Sequence, residues 1–170
     1  MDYEVLTNGK IQLGGKAPEF TCNSTCGEIN VSSNDNSWKV IFSYKEDFYS
    51  VAASELIFLE RCRYLFEDLH TKIICISTGN LLSHQAWIDN IYKMNGIKIN
   101  FPIIEDPIGE VSRRYGIISK DMGNNYVTSN VIIIDPNGII RGIFEYLPCV
   151  ERNIYEIVRV LKELQNCFLQ

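Results

Sequence analysis

No apolar run in this 170-residue sequence approaches the roughly 18 residues that a membrane-spanning helix requires, which argues against a membrane protein. Basic residues are also too few for a nucleic-acid surface. Sixteen Lys and Arg face 21 Asp and Glu, a formal net charge of −5, and phosphate binding needs clustered cations that the chain does not show. Histidine is nearly missing, with only His70 and His84 present. A metal centre would need more ligands, so no metal and no cofactor are expected. Repeats, linkers and low-complexity tracts are absent. The opening "MDYEVLTNGK" is acidic and polar, unlike a secretory signal, which leads to an expectation of cytoplasmic synthesis. The cysteines Cys22, Cys26, Cys62, Cys75, Cys149 and Cys167 are too sparse and scattered for a secreted disulfide scaffold.

What is present is an ordinary globular composition, with 46% hydrophobic and 22% charged residues. Residues 1–16 read as a loosely held lead-in and 17–166 as one domain. "APEFTCNSTCGEINVSS" predicts two short strands around an Asn-Ser-Thr turn closed by Gly27. "WKVIFSY" and "TKIICIST" have the length and apolarity of buried strands. Between them, Leu56, Leu59, Leu65, Phe66 and Leu69 recur at helical spacing, which predicts one helix over 51–69. "LLSHQAWIDNIYKMNG" predicts a helix stopped by Gly96. "IGEVSRRYG" predicts a short helix, and "NVIIIDPNGIIRGIFEY" a hairpin turning at Asp-Pro-Asn-Gly. "VERNIYEIVRVLKELQ" is amphipathic, with Ile154, Ile157, Val158, Leu161 and Leu164 on one stripe. This order predicts an α/β layer fold, a mixed sheet with helices on both faces and an N-terminal β-hairpin.

Cys75 reads as a buried strand thiol and Cys62 as a packed helical one. Cys22 and Cys26 form C-x3-C around a turn and are candidates for a redox pair. Cys149 follows Pro148 at the entry to the last helix, where the helix field would favour a thiolate. A nucleophile is most easily activated at the first turn of a helix that follows a buried strand. Here that place is held by "DFYSVAASEL", residues 47–56, which offers alanines.

Six segments in this order resemble the peroxiredoxins of the alkyl-hydroperoxide-reductase and thiol-specific-antioxidant (AhpC/TSA) type, over roughly residues 13–165. They are "GGKAPEF", "WKVIFSYKEDFYSV", "SHQAW", "FPIIEDPIGEVSRRYGI", "VIIIDPNGIIRGIFEYLP" and "NIYEIVRVLKELQ". The resemblance implies a thioredoxin-like fold and thiol-dependent hydroperoxide reduction. The family motif Pro-x-x-x-Thr/Ser-x-x-Cys, anchored on Asp47, Phe48, Val51 and Glu55, sets Lys45 at its proline and Tyr49 at its threonine. It sets Ala52 at the peroxidatic cysteine, and counting back from Asp135-Pro136 sets Ser129 at its arginine.

All four positions depart from the family, so the expectation is a peroxiredoxin-like domain without peroxidase chemistry, structural or partner-presenting. The alternative is a thiol peroxidase or disulfide reductase using Cys149, Cys22 or Cys26. Glu55 and Arg113 match positions expected to form an ion pair beneath the former site, and His84 and Trp87 are expected to pack helix to sheet. The resemblance implies a homodimer through the edge strand 139–146, with Ile139, Arg141, Ile143 and Glu145 on that edge. The chain stops just after its last helix without the family's Val-Cys-Pro motif, and it is rich in Ile and Asn. Both features are compatible with a module of a larger protein, such as a clostridial spore-coat peroxiredoxin–chitinase.

Overall fold

The computed structural model describes residues 11–32, 35–119 and 126–168. Most of the lead-in and the start of the predicted 34–37 loop therefore lie outside the described residues. The chain runs β1 (Phe20–Ser24), β2 (Gly27–Val31), β3 (Trp38–Ser43), α1 (Ser50–Arg61), α2 (Arg63–Glu67), β4 (Thr71–Ile76), α3 (Leu81–Asn95) and β5 (Ile103–Ile104). It continues with α4 (Glu110–Arg114), β6 (Ile118–Ser119), β7 (Tyr126–Val127), β8 (Ser129–Ile134), β9 (Ile140–Tyr146) and α5 (Ile154–Phe168). Seven strands form one sheet in the order β2-β1-β5-β4-β3-β8-β9, and β6 pairs with β7 separately. β3 is parallel to β4 and antiparallel to β8, so the sheet is mixed.

Both faces of the sheet are covered, which is why its central strands read as unbroken apolar runs. Alternation divides β8 between two cores. Val131 and Ile133 join Phe42, Leu56, Trp87 and Ile157, beneath α1, α3 and α5. Ile132 and Ile134 join Phe20, Ile41, Val111 and Tyr115, on the face that carries α4.

Local chemistry sets the element ends. The Asn80 side chain accepts the Ser83 N–H at 2.9 Å to open α3, and Gly96 closes it at φ 68°. The predicted 51–69 helix is instead two helices. Cys62 has φ −95° and ψ 0°, and its N–H is shared between the carbonyls of Phe58 and Leu59, which tightens the turn and ends α1. The first hairpin also turns later than predicted. Asn23 and Ser24 belong to β1, and Thr25–Cys26 make the turn, because Ser24 Oγ donates to Gly27 O and accepts from Cys26 N–H.

At the second hairpin, Asp135 Oδ1 accepts the N–H groups of Asn137 and Ile139, both at 2.9 Å, and Gly138 takes φ 76°. β9 then starts at Ile140, because Ile139 is already bridged to Lys16. The segment around Gly14–Ala17 is thus paired against the start of the last strand rather than loose.

Candidate functional site

The loop from Lys45 to Tyr49 carries the chain from the end of β3 into α1, and one carboxylate anchors it. Asp47 accepts from Tyr44 Oη at 2.8 Å, Ser83 Oγ at 2.5 Å and His84 Nδ1 at 2.9 Å. His84 Nε2 donates to the Ile104 carbonyl at 3.1 Å, so both ring nitrogens are engaged and the ring is fully buried. Gly79 lets these groups meet. A Cβ there would fall 2.6 Å from His84 Cε1 and 2.9 Å from Asp47 Oδ2. Burial acts to raise the Asp47 carboxyl, but the donors from His84, Ser83 and Tyr44 outweigh it and hold the group below its ordinary range. Burial and the neighbouring Asp47 push the Tyr44 hydroxyl well up, so it remains a donor. His84 and Trp87 both pack between α3 and the sheet, as expected, but His84 is also the loop's anchor.

The anchored loop leads into the positions aligned with the family motif. Phe48 is exposed in a left-handed conformation at φ 62°, with its ring 6.3 Å from Trp87. Tyr49 is the N-cap of α1 and supplies no side-chain cap bond. Lys45 is exposed, with its ammonium 5.3 Å from the centre of the Tyr49 ring. Ala52 lies in the first turn of α1 and is 2% exposed, packed into the core beside Leu56. Ser129 is buried at the start of β8.

Glu55 is buried on α1, but its partner is Arg152 and not Arg113. Arg152 Nε reaches Glu55 Oε1 at 2.9 Å and Nη2 reaches Oε2 at 2.8 Å, while the Arg152 backbone N–H donates to Oε1 at 2.6 Å. Its Nη1 donates to the Asn130 carbonyl at 2.8 Å. Arg113 is exposed on α4, which packs on the other face of the sheet, so it is not placed to reach α1. Sequence reasoning missed Arg152. The available signal was a cation placed just ahead of an amphipathic helix, where the helix field disfavours it unless a carboxylate compensates.

The six thiols are all free and sit in different surroundings. Burial raises the Cys75 and Cys62 thiols. Cys22 is raised by burial, with Asp106 and Glu110 adding to it. The hairpin register sets Cys22 opposite Ile29, while Cys26 lies in the turn with Sγ 3.8 Å from the Asn100 carbonyl, so C-x3-C is not a facing pair. Cys149 is exposed in the turn at 148–150. α5 begins only at Ile154, so Cys149 stands outside the first helical turn, contrary to expectation. Cys167 is exposed in the last turn of α5, the end of a helix that disfavours a thiolate.

The model of the AhpC/TSA family matches residues 13–143. Peroxiredoxin 2 of Picrophilus torridus is 39% identical over 155 residues, covering 91% of this chain and 76% of that protein. The peroxiredoxin of Thermotoga maritima is 41% identical over 161 residues, covering 93% and 74%. Among solved structures, a yeast mitochondrial 1-Cys peroxiredoxin superposes with a TM-score of 0.83 at 31% identity, covering 91% of this chain and 76% of that one. The reduced 2-Cys peroxiredoxin of Plasmodium vivax shares the fold, with a TM-score of 0.84 at 22% identity, covering 93% and 99%. The chain belongs to the AhpC/TSA family of peroxiredoxins, and its mixed seven-stranded sheet is the peroxiredoxin fold.

Proposed function

We propose that this chain is a peroxiredoxin module without peroxidatic chemistry, which acts through its surface as an edge-to-edge homodimer. The observation that carries the reading is Ala52 in the first turn of α1. Peroxide reduction needs a lone pair on sulfur to attack the O–O bond, and a methyl group has none. Two further features support it. Ser129 brings no positive charge to the expected arginine position, and the buried guanidinium of Arg152 has Nε and Nη2 on Glu55 and Nη1 on a carbonyl. What remains is the peroxiredoxin scaffold, whose function on this reading is recognition rather than turnover.

The relatives named peroxiredoxin favour a second reading, a thiol peroxidase with a relocated cysteine. Under it, Cys149 or Cys26 would react, since both are exposed. Fully reduced protein treated with peroxide and a sulfenic-acid trap, then mapped by mass spectrometry, separates the two. The first reading expects each labelled thiol to react no faster than free cysteine. A single site labelled orders of magnitude faster would establish the second. A place in a spore coat, or fusion to another catalytic domain, gains no support from these relatives.

The dimer reading rests on β9, which forms one edge of the sheet. Its residues Ile143, Phe144 and Tyr146 are only partly buried. Free N–H and C=O groups on such an edge recruit another strand. Sedimentation at micromolar concentration is expected to give a dimer that Ile143→Lys converts to monomer. A wild-type monomer at high concentration would contradict the reading.

A further inference from the structure

β4 has a neighbour along its whole length on one side only. β3 pairs with all six of its residues, but β5 meets only Cys75 and Ile76. Beside the half from Thr71 to Ile74, the lane where a strand would lie is open. Pro102 is what ends the ladder. Cys75 N–H bonds the Pro102 carbonyl at 2.9 Å, and the next bond down would run from a residue-102 N–H to the Ile73 carbonyl. Proline has no N–H to give. The chain before it is held away from β4, because Glu60 on α1 accepts the Asn100 N–H at 2.9 Å and its Nδ2 at 2.8 Å.

The groups left over belong to Ile73. Tyr44 N–H bonds Ile76 O at 3.0 Å, so the main chains of Lys72, Ile74 and Ile76 face β3. Those of Ile73 and Cys75 face the other way. Cys75 meets β5, but the N–H and C=O of Ile73 have no partner among the described residues.

A cleft of about 470 Å³ opens at this place. It reaches round the β4 edge to both faces of the sheet. Ile74 and Ile29 of β2 belong to one core, and Ile73 and Phe101 to the other. Two cations on the cleft have donors to spare. Lys72 is exposed, and its ammonium bonds Asp35 Oδ2 at 2.8 Å. Arg63 has Nε on Glu60 and Nη1 on Glu67, which leaves Nη2 without a partner among the described residues. Of the acids around the cleft, Asp35 and Glu67 are taken up by these cations. Glu28 is exposed, alternating with the inward Ile29 on β2.

We infer that this cleft takes an extended peptide of a partner protein, which adds to β4 as a short strand by exchanging hydrogen bonds with Ile73. The edge of a second folded sheet would run into β2 on one face and α2 on the other, whereas a single extended chain fits between them. Side chains alternate along a strand, so the fitting pattern is an acid beside Lys72 and apolar residues beside Ile73 and Ile74. β3 and β8 separate β4 from β9, so the site is independent of the dimer edge.

Two fluorescein-labelled peptides test this. Thr-Glu-Val-Val-Thr and Thr-Val-Val-Glu-Thr set the acid beside Lys72 in the parallel and the antiparallel direction respectively. Each is titrated by fluorescence polarisation against the full chain, with copies N-methylated at both valines as controls. One of the two is expected to bind, with its N-methylated copy at least about tenfold weaker. Lys72→Glu should weaken binding several-fold, and exchange of the Ile73 amide hydrogen, followed by NMR, should slow on binding. Equal binding of the N-methylated copy, no binding of either peptide, or slowed exchange at β9 instead of Ile73 would overturn the site. Slowed exchange at Ile73 on concentrating the protein alone would make the occupant a second copy and overturn the assignment to a partner's peptide.

Discussion

At the scale of single residues, the buried Glu55–Arg152 ion pair and the hydrogen bonds onto Asp47 hold the region around the start of α1, and both can be tested by what they cost when broken. Removing one partner of a buried pair strands the other, typically at about 3–5 kcal/mol. Glu55→Gln should therefore destabilise strongly, and Arg152→Met likewise, whereas Arg113→Ala on exposed α4 should stay within about 0.5 kcal/mol. Chemical denaturation of the three variants, with the Glu55/Arg152 double variant closing a cycle, checks this. A large effect from Arg113 would contradict the assigned pairing.

Asp47 gives a pH dependence with a definite sign. Its folded carboxyl lies below its ordinary value, so its contribution is fully present above the unfolded carboxylate range, near pH ~4. It is lost as pH falls through the lower folded value. The Tm gap between the wild type and Asp47→Asn should be steady from neutral pH down to mildly acidic conditions, then close in more acid. A gap that widened in acid would show that Asp47 is not the charged member of this network.

At the scale of elements, the patterns that were legible were those with a local cause. Gly96 at a helix end, Asp-Pro-Asn-Gly between β-branched runs and the Ile154–Leu161 stripe each announce their structure without tertiary context, and each is where it was expected. Leu161 is fully buried on α5, so Leu161→Ala should cost about 2–5 kcal/mol in chemical denaturation. A loss under ~0.5 kcal/mol, the usual range for surface substitutions, would mean that α5 is not seated on the sheet.

What sequence reading missed depended on contacts distant along the chain. The Cys62 break is invisible in apolar spacing, since Leu56, Leu59 and Phe66 keep helical intervals across it. Arg152 meets Glu55 across 97 positions, and pairing Glu55 with Arg113 failed because α4 packs on the opposite face. His84 looked like a packing residue because the carboxylate that engages it arrives from a loop 37 positions earlier.

At the scale of the whole molecule, the fold and the reaction have separate sequence requirements. The sheet, the anchored loop and the Glu55–Arg152 pair are all formed with an alanine at position 52. Scaffold stability comes from burial on two faces, and Ala52 takes part in it as a core residue. Under the proposed reading, introducing a thiol at position 52 should by itself give little activity. Ala52→Cys would still lack the threonine hydroxyl and the arginine charge, and absence of one such electrostatic group typically costs about 10²–10³ in rate. A single substitution that gave rates typical of the family would show the pocket to be far better preserved than Lys45, Tyr49 and Ser129 imply. The most direct test of the central claim is the second-order rate constant for hydrogen peroxide consumption by the fully reduced wild-type protein, measured beside free cysteine. The expected rate per thiol is no greater than that of free cysteine; a rate orders of magnitude higher that disappears on alkylation would show that the chain is a peroxidase.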